Sequence, residues 1–374
     1  MDASDPAIDG DARLVAAAAG PSPWRALLAR FAAVLAAAGL GLAAFVFAFD
    51  PYGAGPLAGL APPALMDINQ RFMYPQVIRS HAFDSAVIGT STVRLLNPAR
   101  LDPLFSARTV NLGMNAATPW EQARIADLFL RETPDPALMI FGIDAEWCAQ
   151  DAASPAKRLT FRAFPDSFYD DNRWNDWPYL FNLHSIEISW RLAMHRLRFK
   201  RQRLPMNGYE VFTPNEALYD VGRARTHIYG DTGFGTSPPA RAPKDPVAPD
   251  QFRFPALAWL EDLLARLPAR TSRFILFPPA HAAGYFPADT REGSRMEACK
   301  AQATRIAERR GATLVDFRVP SRLTQDDANY WDHLHYRLPV AERITQALVD
   351  AQATGRDAPD GTYRVLAWAR KPGS

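Results

Sequence analysis

Five short apolar runs alternate with segments of helical periodicity along the chain. The runs are rich in Val, Ile, Leu and Phe and cover residues 86–88, 109–113, 137–143, 273–277 and 313–317. A strand buried on both faces of a parallel sheet has such a continuous apolar sequence, not an alternating one. The pattern therefore predicts an α/β fold in which helices cover both faces of a parallel five-stranded sheet.

Helices are predicted between these runs. The helical segments are 119–131, 183–203, 255–267, 291–310 and 338–350. Pro119 suits the first turn of its helix, where the missing N–H costs nothing. Residues 65–83 predict a short helix or an extended arm, and residues 363–368 could add an edge strand.

The N-terminal region contains a long segment without charges. Residues 31–49 are uncharged, follow Arg25 and Arg30, and end at Asp50. At about 1.5 Å per residue they approximately span a hydrocarbon core of about 30 Å, and the flanking charges favour an anchor with its C-terminal side outside. Two alternatives stay open, namely a signal peptide cleaved near residues 46–48 and a buried helix of a soluble domain.

These features divide the chain into regions. The predicted order is a disordered lead (1–23), a transmembrane anchor (24–49), a linker or arm (50–84), a domain (85–352) with an insertion (146–254), and a C-terminal tail (353–374). Six cations lie in the C-terminal half of the 183–203 helix: Arg191, Arg196, Arg198, Lys200, Arg201 and Arg203. They form either a solvated face, favourable near a helix C-terminus, or a basic surface for anionic lipid headgroups or an anionic polymer.

Composition narrows the function classes. The chain has 374 residues, and its 48% hydrophobic content indicates a globular protein. The net charge of +2 gives no global attraction to nucleic acid, so no nucleic-acid partner is expected. Cys148 and Cys299 could pair in an oxidising compartment, which the sequence does not decide, and they lack a zinc-binding spacing. No cofactor is expected.

Ser91 follows the first apolar run in the sequence Gly89-Thr90-Ser91, where small residues allow a sharp turn. A serine raised from the end of a central strand is the position of the nucleophile in α/β hydrolases. The second glycine of a Gly-x-Ser-x-Gly elbow is missing, because Val93 occupies its place. The alternative interpretation is that Ser91 is an N-cap for the next helix.

Asp332 and His335 follow the last apolar run. Their spacing of three residues puts both side chains on the same side of one helical turn, where the carboxylate can hold the imidazole Nδ1–H and leave Nε2 for a serine. A capped helix start with an ordinary histidine is the alternative. A metal site built from Asp332, His333 and His335 is disfavoured, because adjacent residues of a helical turn point apart and no further ligand cluster completes the set.

Polar residues follow every predicted strand. They are Ser91, Gly113 with Asn115, Asp144, His281, and Asp332 with His335. In an open parallel sheet, ligands bind outside the carboxyl ends of the strands. The sequence therefore predicts an active site at this edge, with Asp144 and His281 as substrate-binding residues.

With Gly-x-Ser at the first strand and Asp-x-x-His after the last, the chain resembles the SGNH/GDSL hydrolase superfamily over roughly residues 50–350. The resemblance implies a three-layer α/β/α, flavodoxin-like fold, with Ser91 as nucleophile, His335 as general base and Asp332 as its orienting carboxylate. It also implies an oxyanion hole formed by the N–H groups of Ser91 and Gly113 and by an asparagine side chain.

At the position of that asparagine the chain has Asp144, which when ionised cannot donate a hydrogen bond and repels an oxyanion. Asn115 is the candidate replacement donor. With this departure, the chain resembles the envelope branch of the superfamily, whose membrane-anchored proteins work beside multispanning O-acyltransferases.

The resemblance implies a serine acyltransferase or esterase that acts outside the cytoplasmic membrane, through a Ser91 acyl-enzyme, on a cell-envelope carbohydrate polymer. Its expected partners are the polymer or an acyl donor, the membrane, and a multispanning O-acyltransferase. The alternative is a non-catalytic, membrane-anchored protein that keeps the fold and binds glycan or the membrane acyltransferase.

Overall fold

Helix α1, Pro23–Phe49, is the N-terminal element of the computed structural model, which describes residues 23–55, 63–230 and 244–370. Its mean hydropathy reaches 2.3, and its 27 residues extend over about 40 Å. The helix is long and apolar enough to span a membrane. Apart from Pro23, the predicted disordered lead lies outside the described residues. The described residues fall into two compact units, one that ends at Phe45 and one that begins at Val46.

The larger unit is built on a mixed sheet in the order β2-β1-β3-β4-β5-β6. The strands are β1 Ser85–Ile88, β2 Thr109–Asn111, β3 Leu138–Gly142, β4 Ser272–Phe277, β5 Thr313–Asp316 and β6 Arg364–Ala367. The first five are parallel, whereas β6 runs antiparallel to β5. The sheet therefore has six strands where five were predicted, because the 363–368 segment pairs at the edge.

Nine helices accompany the sheet in the described part of this unit. They are α2 Gln70–Ile78, α3 Pro98–Phe105, α4 Pro119–Glu132, α5 Leu183–Arg196, α6 Val221–Tyr229, α7 Ala256–Ala265, α8 Arg291–Arg310, α9 Arg322–Gln325 and α10 Leu338–Thr354. Helix α4 begins with the expected proline and a capping box between Thr118 and Glu121. Helix α8 has the predicted limits and ends at Gly311, whose φ of +59° favours glycine.

The main apolar core joins alternate strand residues to two helices. Val87, Ile140, Leu276 and Val315 lie in one buried cluster with residues of α3 and α10, including Leu101 and Ile344. Strand residues two apart point to the same face, so these side chains define one face of the sheet. The burial of this face fixes the register of the strands whose ends carry the predicted site.

The insertion returns to the sheet at its β2 edge. Asn207 O accepts a hydrogen bond from Asn111 N at 2.8 Å. A Cβ on Gly208, at φ +69°, would lie 2.0 Å from Asn111 O, so only glycine allows this approach. The predicted 183–203 helix is too long, since α5 ends at Arg196 and Arg198 adopts a φ of +64° that no right-handed helix continues.

A disulfide joins Cys148, in the turn after β3, to Cys299 of α8, and it closes a sequence separation of 151 residues. The sequence had left this pairing open. The bond ties the start of the insertion to α8, which packs beside β5 and β6.

Candidate active site

Ser91 opens a single 3₁₀ turn, Ser91–Val93, three residues after β1 ends. The N-cap of this turn is Thr90, whose Oγ1 accepts a hydrogen bond from Thr92 N at 3.4 Å. Ser91 is therefore not the cap, and its side chain is available for other contacts. The Ser91 N–H stands at the first position of the turn, where the turn itself offers no acceptor.

The serine turn has Val93 where the elbow motif has its second glycine, and Gly142 of the neighbouring strand β3 lies against this valine. A Cβ on Gly89 would lie 2.6 Å from Val93 Cγ2, and a Cβ on Gly142 of β3 would lie 2.2 Å from Val93 Cγ1. Val93 thus packs into space left open by Gly89, directly after β1, and by Gly142 of β3. A sharp turn after β1 is therefore possible without the second glycine of the elbow motif.

The structure brings Ser91, His335 and Asp332 together, as predicted. Ser91 Oγ lies 2.8 Å from His335 Nε2, and His335 Nδ1 lies 2.7 Å from Asp332 Oδ2. Ser91 is 244 residues from His335 in sequence, so this contact exists only because β1 and the segment after β5 meet at one edge of the sheet.

The turn that carries Asp332 and His335 is not helical, which corrects the sequence prediction. Asp332 Oδ1 accepts hydrogen bonds from Leu334 N at 2.8 Å and from His335 N at 2.7 Å, so the side chain itself organises the turn. A bridge between Tyr330 and Tyr336, both buried, closes the loop. The carboxylate reaches His335 through this Asx-type geometry.

Asp332 fixes the tautomer of His335. Burial raises the pKa of Asp332, but the hydrogen bonds from His335 and from the two amides outweigh it and leave the pKa below its usual value. An ionised carboxylate only accepts hydrogen bonds, so Nδ1 of His335 carries a proton and Nε2 of the neutral ring accepts from Ser91 Oγ–H. This arrangement can deprotonate a serine as it attacks a carbonyl.

Two aromatic residues that sequence reasoning missed support the imidazole. Tyr336 OH donates a hydrogen bond to Thr92 O, which ties the histidine loop to the serine turn. Phe212, from the insertion, stands edge-on to the His335 ring with 5.3 Å between the ring centroids. Tyr336 follows His335 directly and could have been suspected, whereas no pattern in the insertion identifies Phe212.

Arg94 is a third missed residue, almost fully buried three positions after Ser91. Its guanidinium forms an ion pair with Glu210, lies 4.9 Å from the Phe212 ring centroid and donates to Asn115 Oδ1 at 2.6 Å. In the sequence, only the position of Arg94 as a single cation among apolar residues could have marked it as a residue of the site. The hydrogen bond that Asn115 Oδ1 accepts from Arg94 fixes the orientation of the Asn115 amide. Its NH₂ group has no hydrogen-bond partner among the described residues.

The remaining oxyanion candidates differ in what they can donate. Gly113 N–H already donates to Asn111 Oδ1 at 3.0 Å. Asn115 does not cap α4, because Thr118 does. The Ser91 N–H and the Asn115 amide are thus the two predicted donors that the structure does not commit elsewhere within the described residues.

Asp144 lies next to the serine turn. Its Oδ2 accepts from Thr90 Oγ1 at 2.7 Å, and its Oδ1 accepts from Glu146 N at 3.3 Å, so it also caps the turn after β3. Burial raises the pKa of Asp144 to about 6, although the hydrogen bond from Thr90 opposes the shift. At a pH below that value the protonated carboxyl can donate a hydrogen bond.

His281 is positioned differently from the other predicted residues. Its side chain is buried, with Nδ1 accepting from Ala283 N at 3.2 Å and Nε2 at 3.1 Å from Asp327 Oδ1. Burial lowers the pKa of His281, although Asp327 opposes the shift. Its backbone N donates to His333 O at 2.9 Å. The structure therefore uses His281 to hold the histidine loop and does not place its side chain with Ser91.

Within the described residues, no group of three or more His, Cys, Asp or Glu side chains is arranged to hold a metal ion. In comparisons with known proteins, no family model matches the chain, and no curated protein matches it.

Proposed function

We propose that this chain is a membrane-anchored, extracytoplasmic serine acyltransferase or esterase of the SGNH type that acts on a cell-envelope carbohydrate polymer. The observation that carries the proposal is the connected set of hydrogen bonds from Ser91 through His335 to Asp332. The parallel order of β1 to β5 and the position of the three residues after β1 and β5 are those expected of the three-layer SGNH fold.

The proposed reaction has two steps. Ser91 Oγ attacks the acyl carbonyl while His335 Nε2 takes the serine proton, and the imidazolium then gives this proton to the leaving alkoxide. In the second step His335 deprotonates a sugar hydroxyl, or a water molecule, which attacks the acyl-enzyme. The ester bond to Ser91 breaks, and the imidazolium returns its proton to Ser91 Oγ. Asp332 stabilises the imidazolium in both steps. The Ser91 N–H and the Asn115 amide are the proposed donors to the oxyanion.

The extracytoplasmic location is supported by two observations. Arg25 and Arg30 lie in the N-terminal part of α1, before its uncharged run, and the Cys148–Cys299 disulfide is typical of oxidising compartments. An export-dependent reporter fused after Ser374 is expected to be active. A cytoplasm-dependent reporter that gives the signal instead would contradict the topology and the class of substrate. A multispanning O-acyltransferase in the same membrane is the proposed source of acyl groups.

A second candidate function is a non-catalytic protein that binds glycan or the membrane acyltransferase. Two observations favour it, namely that Gly113 N–H is already paired with Asn111 and that a carboxylate stands at the position of the third donor. Both remove hydrogen-bond donors from the oxyanion hole that the SGNH resemblance implies.

The two candidates differ in whether acyl groups pass through Ser91. The purified chain is incubated with p-nitrophenyl acetate and an unacylated polysaccharide, and peptide masses are measured after rapid quenching. Acetyl on Ser91 followed by acetyl on the polysaccharide supports transfer, and acetyl release to water alone supports an esterase. A Ser91 peptide that stays unmodified, with acetate released no faster by the wild type than by Ser91→Ala, supports the binding protein.

A further inference from the structure

The last turn of α1 contacts the insertion. Residues from Val46 onward belong to the same unit as the domain. Phe181, two residues before α5, packs against Phe47 with 5.3 Å between ring centroids, and Arg196, the last residue of α5, lies 5.1 Å from the Phe49 ring centroid. Phe181, just before α5, and Arg196, at its end, thus both contact the turn in which the apolar helix ends.

The exposed side of α5 and of the segment after it carries several large apolar side chains. Leu183 is 85% exposed, Trp190 58%, Leu197 60% and Phe199 79%. Buried residues of α5, including Ile188 and Leu192, already satisfy the packing against the domain. These four exposed side chains therefore form an apolar face that no described part of the chain covers.

Cations are interleaved with these apolar residues. Arg196, Arg198, Lys200 and Arg201 are exposed, and none of them forms an ion pair with a carboxylate in the described residues. By contrast, Arg191 is paired with Glu187 and Arg203 with Glu210. We name the four apolar residues and these four cations the interfacial surface.

We propose that the interfacial surface lies in the headgroup region of an anionic membrane, beside the point where α1 leaves the bilayer. A Trp, Phe and Leu face with Arg and Lys beside it is the composition of segments that lie in a membrane interface, where apolar side chains enter the acyl boundary and cations meet lipid phosphates. An anionic polymer would account for the cations but not for the exposed Leu183, Trp190 and Phe199. The contact between Arg196 and the Phe49 ring places the surface beside the last residues of α1, which belong to the same unit as the domain.

The inference rests on one part of the proposed function, the membrane anchor, and not on the chemistry at Ser91. It adds a second contact that restrains the domain close to the bilayer, where a membrane-embedded partner would deliver acyl groups.

The test uses the full chain in lipid nanodiscs. Because the two native cysteines are joined, a single introduced cysteine can be labelled with an environment-sensitive fluorophore. Phe199→Cys probes the surface, Leu35→Cys probes the anchor, and Leu104→Cys, an exposed position on α3, is the matched control. Doxyl-labelled lipid is the quencher, in phosphatidylcholine alone or mixed with phosphatidylglycerol.

Quenching at position 199 is expected to exceed that at position 104 by about two-fold or more, since interfacial residues reach about 5–10 Å into the headgroup boundary. It should increase with phosphatidylglycerol and lose that increase in the Arg198→Gln/Lys200→Gln/Arg201→Gln variant. Quenching at 35 with none at 199 would overturn the surface and keep the anchor. No quenching at either position would overturn both, and protection of 199 only by added polygalacturonate would assign the surface to a polymer.

Discussion

Asp332 uses both carboxylate oxygens, and this determines what His335 can do. One oxygen holds the backbone of the loop through Leu334 N and His335 N, while the other holds Nδ1 of the ring. A single residue thus sets both the position and the tautomer of the base. The spacing of three residues was enough to predict the pair, although the helical turn assumed for it was wrong.

The residues of the site differ in how far the sequence alone could identify them. Ser91, Asp332 and His335 could be predicted because each follows an apolar run and belongs to a short motif. Thr90, Arg94 and Glu210 could not, because their roles depend on contacts between segments that are far apart in sequence. The hydrogen bond from Arg94 to Asn115, for example, joins residues of two different loops and fixes an amide that the sequence left free.

Asp144 gives a prediction with a defined pH dependence. Its pKa is raised to about 6 in the folded state, above the usual 3.8, so folding is favoured at low pH and loses stability as pH rises through about 6. Asp144→Asn should remove this loss and increase the free energy of unfolding above that pH by up to about 3 kcal/mol. The rate of ester hydrolysis should also increase in Asp144→Asn, because the neutral amide does not repel the oxyanion as the carboxylate does.

Thermal unfolding and hydrolysis rates of wild type and Asp144→Asn, measured on both sides of pH 6, check this prediction. Asp151→Asn, at an exposed position after the same strand, is the matched control and should change neither profile. Parallel pH profiles for wild type and Asp144→Asn would show that the Asp144 carboxyl influences neither stability nor the reaction.

At the scale of elements, the packing of β1 against β3 explains why the serine turn tolerates Val93. The strand order was not available from sequence, so the partner of Val93 could not be identified there. Apolar runs and their ends were predicted to within one or two residues, because burial on both faces leaves a clear pattern. Inside the insertion, α6 was not predicted and α5 was predicted too long. The polar and apolar residues of the insertion follow its tertiary contacts more than helical periodicity.

Gly142→Ala tests this packing. The added Cβ would lie 2.2 Å from Val93 Cγ1, so the variant should lose about 1–3 kcal/mol of stability through overpacking and shift Ser91 away from His335. A second change, Val93→Ala, should restore part of both stability and turnover by removing the clashing methyl groups.

Chemical denaturation and turnover of the single and double variants provide the measurement. Gly284→Ala is the matched control, because nothing lies within 4 Å of its added Cβ. Additive losses in the double variant, with no recovery, would mean that Val93 and Gly142 do not share the space described for them.

At the scale of the whole molecule, the disulfide joins parts of the chain that the sequence could not connect. It links the start of the insertion to α8 across 151 residues. The double variant Cys148→Ser/Cys299→Ser should therefore lose about 2–5 kcal/mol of stability, because the unfolded chain is no longer restrained by the cross-link. Thermal melting of the variant, compared with wild type before and after reduction, checks this.

Reduced wild type and the double variant are expected to melt at similar temperatures, both below the oxidised wild type. Equal melting temperatures for all three proteins would mean that the cross-link contributes nothing to the stability of the domain.

The central claim, that Ser91 is activated by His335, is tested most directly by labelling the purified chain with a serine-reactive fluorophosphonate and mapping the modified peptide by mass. The label is expected on Ser91, absent in His335→Ala and reduced less completely in Asp332→Asn, where the geometry survives but the tautomer is wrong. His227→Ala, which removes an exposed histidine of α6, should label like wild type. Labelling of Ser91 at an unchanged rate in His335→Ala would contradict the account.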